Sequence, residues 1–243
     1  MFGKNPIRKL ERESLDGKLA VQDIFYTLQG EGPCSGMPAV FIRLAGCHLA
    51  CTFCDTEFES GIDYRLDVPE ILRRVHALVA GLDITPMIVL TGGEPMRQPL
   101  ATLCNALDGA GFNLLQIETA GSFWEPALEP LIIRGHLVVV ISPKTSHVHS
   151  VLAHHARHWK YVVRAGDESL EDGLPVKPTQ AGQETGPALA RPWDYDGFPV
   201  VWISPCDEHD EAKTAANMIH AAGVCMRNGY RLSLQIHKLL NLP

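Results

Sequence analysis

The chain has 243 residues, enough for one large domain or two small ones. With 46% hydrophobic and 20% charged residues, a net charge of −7 and a pI near 5.9, it has an ordinary globular composition and lacks the basic face of a nucleic-acid binder. No apolar run approaches the roughly 20 residues of a membrane span, so neither nucleic acid nor membrane is an expected partner.

Residues 1–18 carry mixed charge with little apolar patterning and read as a loosely held N-terminal extension without a signal peptide. The remainder, 19–243, reads as one domain. Strands are expected over 20–28 and 39–44, the second interrupted only by Arg43. Val68, Ile71, Leu72, Val75, Leu78 and Val79 recur at helical spacing behind Asp67, a candidate N-cap. A buried strand over 87–90 ends in Thr91-Gly92-Gly93-Glu94-Pro95. There follow a helix over 99–107, a strand over 114–117, a weak helix over 126–133 and the strand 137–141. A histidine-rich helix over 148–158 leads to a strand over 161–164. Prolines and glycines make 171–197 an irregular excursion. A strand over 200–203, a helix over 208–222 and a last strand over 230–236 complete the chain.

Repeated strand–helix–strand order predicts parallel pairing through right-handed crossovers. An open doubly wound sheet and an incomplete (β/α) barrel both fit about six such units. The barrel is favoured because unusual polar residues follow nearly every strand: Gln29, Cys47, Thr91 to Glu94, Glu118, Ser142 to Lys144, Ser204 to Asp207. Parallel strands bring these ends to one rim, where such folds hold their chemistry.

After the second strand stands Cys47-His48-Leu49-Ala50-Cys51-Thr52-Phe53-Cys54, a C-x3-C-x2-C run. Thiolates so placed suit either zinc or a four-iron cluster with one iron left open. A structural zinc needs a fourth ligand, for which Cys34 and His48 are available. Seven cysteines, three of them crowded, do not make a secreted disulfide framework and point to a reducing cytoplasm. Cys34, Cys104, Cys206 and Cys225 need no role beyond packing, Cys206 being the rim exception. In Gly92-Gly93-Glu94 the glycines permit a bend that a ligand can approach, with Glu94 open to an ammonium; a plain strand-to-helix turn explains the pair equally. Histidines 147, 149, 154, 155 and 158 fall on all faces of a helix and read as a solvated surface rather than a metal tract.

The cysteine run and the Gly92 to Pro95 segment, in this order, resemble the radical S-adenosylmethionine superfamily. Within it, Leu28-Gln29-Gly30-Glu31-Gly32, Phe41 to Leu44, Cys54-Asp55-Thr56 and Ser142-Pro143-Lys144 look like the 7-carboxy-7-deazaguanine synthases. The resemblance runs from about Ile24 to the C-terminus and is weakest over 165–198. It implies a modified, incomplete (β/α) barrel, a homodimer, and a carbon–nitrogen lyase. That enzyme contracts the ring of 6-carboxy-5,6,7,8-tetrahydropterin with loss of ammonia, a step toward queuosine and other 7-deazapurines. The implied cofactors are a [4Fe–4S] cluster on Cys47, Cys51 and Cys54, S-adenosylmethionine, and magnesium on Thr56. A one-electron donor such as flavodoxin or ferredoxin is the implied partner.

For the cofactor, the resemblance assigns Phe53, Cys54, Asp55, Gly93 and Glu94, then Ser142, Pro143 and Lys144, then Ser204, Pro205, Cys206 and Asp207. For the substrate it assigns Leu28, Gln29, Gly30, Arg43 and Thr91, with the Pro243 carboxylate on the pyrimidine ring. No acid or base is assigned. Ser204 departs from the glutamine common in relatives. The tail, 237–243, is expected to dock through its leucines. Two alternatives stand beside this reading: an activating enzyme for glycyl-radical proteins, which shares the cysteine spacing, and a zinc-binding interaction module.

Overall fold

The computed structural model describes residues 5–10, 16–177, 179–181, 186–193 and 199–243. Parts of the expected extension (1–4, 11–15) and excursion (178, 182–185, 194–197) lie outside them. The strands are β1 (Leu19–Leu28), β2 (Pro38–Leu44), β3 (Arg65–Leu66), β4 (Met87–Gly92), β5 (Leu115–Thr119), β6 (Leu137–Ile141), β7 (His158–Val163), β8 (Val200–Pro205) and β9 (Arg231–Leu232). They form one sheet in the order β3-β1-β2-β4-β5-β6-β7-β8-β9. β1 is antiparallel to β2 and β3, and every pair from β2 onward is parallel. The sheet stays unclosed, with β3 and β9 at its two edges. This is the expected incomplete (β/α) barrel, with β2 and β4 to β8 as its six parallel strands of useful length and an antiparallel strand added in front.

The helices are α1 (Val68–Val79), α2 (Ala101–Gly109), α3 (Glu129–Ile133), α4 (Ser150–His155), α5 (Glu211–Asn228) and α6 (Ile236–Leu239). Asp67 caps α1 as expected, accepting from Glu70 N at 2.8 Å. α5 starts and ends later than its apolar spacing suggested. Asp210 caps it on Lys213 N at 3.0 Å, and Gly229, at φ +71°, closes it in the left-handed conformation. α4 is shorter than expected because Ala156 turns extended, and His158 then enters strand pairing with Val140 and Val200. The expected last strand shrinks to Arg231–Leu232. Ser233 N still bonds Ile203 O at 2.8 Å, and the chain then turns into α6.

Side-chain alternation, period two along each strand, sorts the sheet into two faces. Val40, Ile42 and Leu44 of β2, Ile88 and Leu90 of β4, Leu115 and Ile117 of β5, and Trp159, Tyr161 and Val163 of β7 join the main core. Their neighbours in sequence face the other way. Ala39, Met87 and Val89 make a small second cluster at the base of that inner face. Above it the same parity brings Arg43, Thr91, Gln116, Glu118, Lys160 and Ser204 to one side.

Residues 5–9, expected to be loosely held, instead lie against the cysteine loop. Ile7 bridges to Cys47, and Arg8 N bonds Cys47 O at 2.6 Å. The Arg8 guanidinium pairs with Glu59 at 2.7 Å, and Arg97 Nη1 donates to Lys9 O at 2.7 Å. Mixed charge at a chain start gave no sign of this, because all these partners are distant in sequence.

Candidate active site

Two adjoining cavities, of about 240 and about 430 Å³, open at the C-terminal ends of the parallel strands. Glu31, Asp55, Thr56, Thr91, Glu118 and Gln235 line both.

The first is walled by Cys47, Cys51 and Cys54, all free thiols. Burial, with Glu94 and the other two thiols adding to it, pushes the Cys47 thiol up to about 12, and Cys54 is raised in the same way. Burial thus favours the neutral thiol at Cys47 and Cys54, and a bound cationic centre is what would draw off those protons. The fourth ligands a zinc knuckle would need are elsewhere. Cys34 sits in the small cluster with Ala39, Met87 and Val89. The His48 ring packs on Phe123 at 4.5 Å, and burial lowers its pKa to about 4. Among the described residues no group of three or more His, Cys, Asp or Glu converges on a single metal ion.

Phe53, Asp55, Gly93, Glu94, Ser142, Lys144 and Ser204 to Asp207 line this first cavity, whereas Pro143 is buried off its wall. The Arg164 guanidinium lies over the Phe53 ring at 5.6 Å and pairs with Glu208 at 2.7 Å. Lys144 Nζ donates to Ser142 O and Oγ at 2.7 and 2.6 Å, and burial lowers its pKa. The Ser204 hydroxyl is buried with no partner among the described residues, leaving a polar group for a ligand to satisfy.

The glycine pair has a different cause from the one its sequence suggests. A Cβ at Gly92 would stand 2.0 Å from Leu44 O, and one at Gly93 2.2 Å from Gly46 O. The close approach is between the end of β4 and the chain leaving β2. The amides of Gly93 and Glu94 bond Leu44 O and Gly46 O, both at 3.1 Å. Glu94, 1% exposed, accepts from Thr119 Oγ1 at 2.6 Å, Ala120 N at 2.7 Å and Met96 N at 3.0 Å. Burial raises its pKa, and its carboxyl braces the ends of β4 and β5 rather than standing open to an ammonium.

Leu28, Gln29, Arg43, Thr91 and Pro243, which the resemblance assigns to the substrate, line the second cavity together. Arg43 and Thr91 are register partners on β2 and β4. The Arg43 guanidinium lies 5.0 Å over the Phe25 ring and has no carboxylate partner among the described residues. Gly30 sits behind the wall, where a Cβ would stand 2.1 Å from His237 Nδ1. The tail docks, though not by its leucines: Leu239 and Leu240 are 60% and 56% exposed. Its anchors are polar. Lys238 Nζ bridges Asp55 at 2.7 Å and Asp207 at 2.8 Å, and Ile236 N bonds Gly30 O at 3.2 Å.

Sequence reasoning missed Lys160, Glu31, Gln235 and Lys238. Lys160 Nζ lies 2.6 Å from Glu31 and 3.8 Å from Glu118. Gln29 and Gln116 donate to Glu118 Oε1 at 2.9 and 3.0 Å, and Gln235 donates to Glu31 at 2.9 Å. Burial would raise the Glu31 pKa, but the Lys160 ammonium and the Gln235 amide outweigh it and hold it below the usual range. Burial would lower Lys160, but Glu118 and Glu31 overcome it and raise it. One signal could have found Lys160: it is the polar member between Trp159 and Tyr161 in a strand whose alternate residues enter the core. The expected histidine surface is only partly solvated, since His155 stacks on Trp124 at 5.5 Å and His158 accepts from Trp202 Nε1 at 3.3 Å.

Residues 41–179 match the model of the radical SAM superfamily. A 7-carboxy-7-deazaguanine synthase from Rhodospirillum rubrum is 39% identical over the whole of both chains. The chain belongs to this family. Another 7-carboxy-7-deazaguanine synthase, from Rickettsia prowazekii, is 36% identical over all of this chain and 96% of its own. The crystal structure of QueE from Escherichia coli superposes with a TM-score of 0.60 at 26% identity, covering 90% of this chain and 94% of that one. Radical SAM proteins work with a [4Fe–4S] cluster and S-adenosylmethionine. The donor set fits them: three thiols on one wall of a cavity whose other walls offer an aromatic face, an unpartnered hydroxyl and a buried lysine. Neither the glycyl-radical activating enzyme nor the zinc module is supported by these full-length matches.

Proposed function

We propose that this protein is a lyase that converts 6-carboxy-5,6,7,8-tetrahydropterin to 7-carboxy-7-deazaguanine, with loss of ammonia, in the cytoplasm. The observation that carries this reading is the pair of cavities sharing a wall. The three thiols stand in one and the planar-recognition groups Arg43 and Pro243 in the other. When bound, the cluster and S-adenosylmethionine supply a carbon-centred radical able to take a hydrogen from the pterin.

The chain's own residues bind, orient and exclude water. Arg43, stacked on Phe25 and without a carboxylate partner among the described residues, offers a bidentate fork to the substrate carboxylate. The backbone at Leu28 and Gln29, and the Thr91 hydroxyl, meet the ring. Glu118 is held in one orientation by two amide donors and by Lys160, so its position does not depend on the ligand. Ser204 and Lys144 face the cofactor side with Asp55 and Asp207. A homodimer and a one-electron donor of the flavodoxin or ferredoxin class complete the proposal.

The test is anaerobic incubation of the iron-loaded protein with the carboxytetrahydropterin, S-adenosylmethionine, magnesium and a reductant, followed by mass spectrometry. Protein holding about four irons per chain that releases no deazaguanine would refute the assignment.

Thr56 is the proposed magnesium ligand. It lines both cavities, and its hydroxyl donates to Asp55 at 3.2 Å. An oxygen at this junction suits an octahedral ion that retains waters and takes a substrate oxygen. In Thr56→Ala, magnesium stimulation of turnover is expected to fall by about tenfold or more, equivalent to about 1.4 kcal/mol. An unchanged magnesium dependence would place the ion elsewhere.

Pro243 lines the second cavity at the end of a tail fixed through Lys238, and its carboxylate is the proposed reader of the pyrimidine ring. Two acceptor oxygens match the pterin's amino group and adjacent ring N–H, at about 1.5–3 kcal/mol per charge-assisted bond. A C-terminal extension is therefore expected to raise KM for the pterin by at least about tenfold while iron content stays constant. An unaltered KM would reject that role.

A further inference from the structure

Two side-chain amides from outside the cysteine motif reach the thiols of the cluster wall. Gln180 Nε2 lies 3.3 Å from Cys51 Sγ, and Asn5 Nδ2 lies 3.7 Å from Cys54 Sγ. An amide end can be assigned only from its other partners, and here each assignment is forced. Gln180 Oε1 accepts from the Ala50 backbone N–H at 2.9 Å, a bond that only the oxygen can make. Its nitrogen must then face Cys51, steadied by Thr179 Oγ1 at 2.9 Å. Asn5 Nδ2 also donates to the Thr56 carbonyl at 3.1 Å, so there too the nitrogen, not the oxygen, points at sulfur.

The surrounding backbone keeps both amides in place. Cys51 and Gln180 form an antiparallel bridge, Thr52 N bonds Thr179 O at 2.8 Å, and Ala181 N bonds Ala50 O at 2.8 Å. Ile7 and Arg8 fix the segment after Asn5 against Cys47. The two segments whose sequences gave least structural signal, the chain start and the irregular excursion, thus each deliver one N–H donor to one sulfur.

From this juxtaposition we infer that Asn5 and Gln180 are positioning residues that set the reduction potential of the cluster held by Cys47, Cys51 and Cys54. The inference rests on the proposed cluster chemistry and deepens it. An electron added to the cluster increases the negative charge on its thiolates. An N–H aimed at such a sulfur stabilises that charge, so the reduced state gains more than the oxidised one. The donors therefore raise the potential and make the electron easier for an external one-electron donor to deliver. They also orient the two sulfurs that are only partly buried.

The experiment is a mediated redox titration of the reconstituted protein, followed by electron paramagnetic resonance in the absence of S-adenosylmethionine. Iron and sulfide are counted on the same samples. Gln180→Met and Asn5→Leu each keep side-chain bulk and remove the donor. Each is expected to retain the wild-type iron count and to make reduction roughly tenfold less favourable, a shift of ~59 mV to more negative potential for one electron. The double variant is expected to shift by about the sum, since the two donors serve different sulfurs. Wild-type iron with an unchanged midpoint in the variants would overturn the inference and leave the cluster assignment standing. Wild-type protein that holds no four-iron cluster would instead refute the proposed function. Should Gln180→Met fail to hold iron, Asn5→Leu is read alone, and an unmoved midpoint there overturns the inference.

Discussion

Lys160→Met is expected to lower the stability of the folded chain by about 3–5 kcal/mol. For a chain of this size that is on the order of 10 °C in melting temperature. Lys160 is 7% exposed and stands between Glu31 and Glu118. Methionine fills the same space but leaves two carboxylates without their cation. The pH dependence is the sharper part of this result. In the wild type, the Glu31 carboxyl is held below its ordinary range, so its contribution is present above the unfolded value and lost as pH falls through the folded one. In the variant the Lys160 charge is gone and burial, the largest influence on Glu31, dominates. Its pKa then rises above the unfolded value, and stability should increase on acidification from neutral toward the carboxylate range. Thermal melts of both proteins across that interval check the prediction. Parallel pH profiles for the two proteins would show that the lysine does not neutralise Glu31.

Replacing Cys47, Cys51 or Cys54 by alanine is expected to abolish turnover, each alone, and to remove the iron. Two thiolates cannot hold a four-iron cluster with one iron open, and the loop from Cys47 to Cys54 contains no further cysteine. If the whole rate enhancement is lost, the fall is at least about 10⁶-fold. Cys225→Ala is the control, because that thiol packs in the main core and does not line the cavity. A Cys51→Ala protein that kept its cluster spectrum and its activity would dismiss the motif as the centre of the chemistry.

The barrel class, the strand order along the chain and the cysteine loop were legible in the sequence because their signals are local. A run such as Leu137–Ile141 declares a strand buried on both faces, and Cys47 to Cys54 lie within one loop. Arg43, Thr91 and Pro243, assigned to the substrate by resemblance, line one cavity. What stayed hidden depends on contacts between distant residues. Nothing near Lys238 announces Asp55 and Asp207, and nothing near Gln180 announces Cys51. The glycine pair was noticed for an incomplete reason, since its strongest requirement is the backbone of Leu44 and Gly46 rather than a ligand. The tail illustrates the same limit. Its leucines suggested apolar docking, whereas a lysine and one backbone hydrogen bond hold it.

The two-faced alternation of β7 has a consequence for how the chain tolerates change in length. Trp159 and Tyr161 point into the core, and Lys160 between them points toward the cavity. Deleting or inserting one residue within this strand would exchange the roles of everything beyond it, turning a lysine into the apolar layer and aromatic rings into the reaction chamber. The scaffold and the chemistry are interleaved on the same few residues, like two messages written on alternate letters. A frame slip therefore cannot spoil one and spare the other. A change in length that spares both would have to fall in the connections between strands.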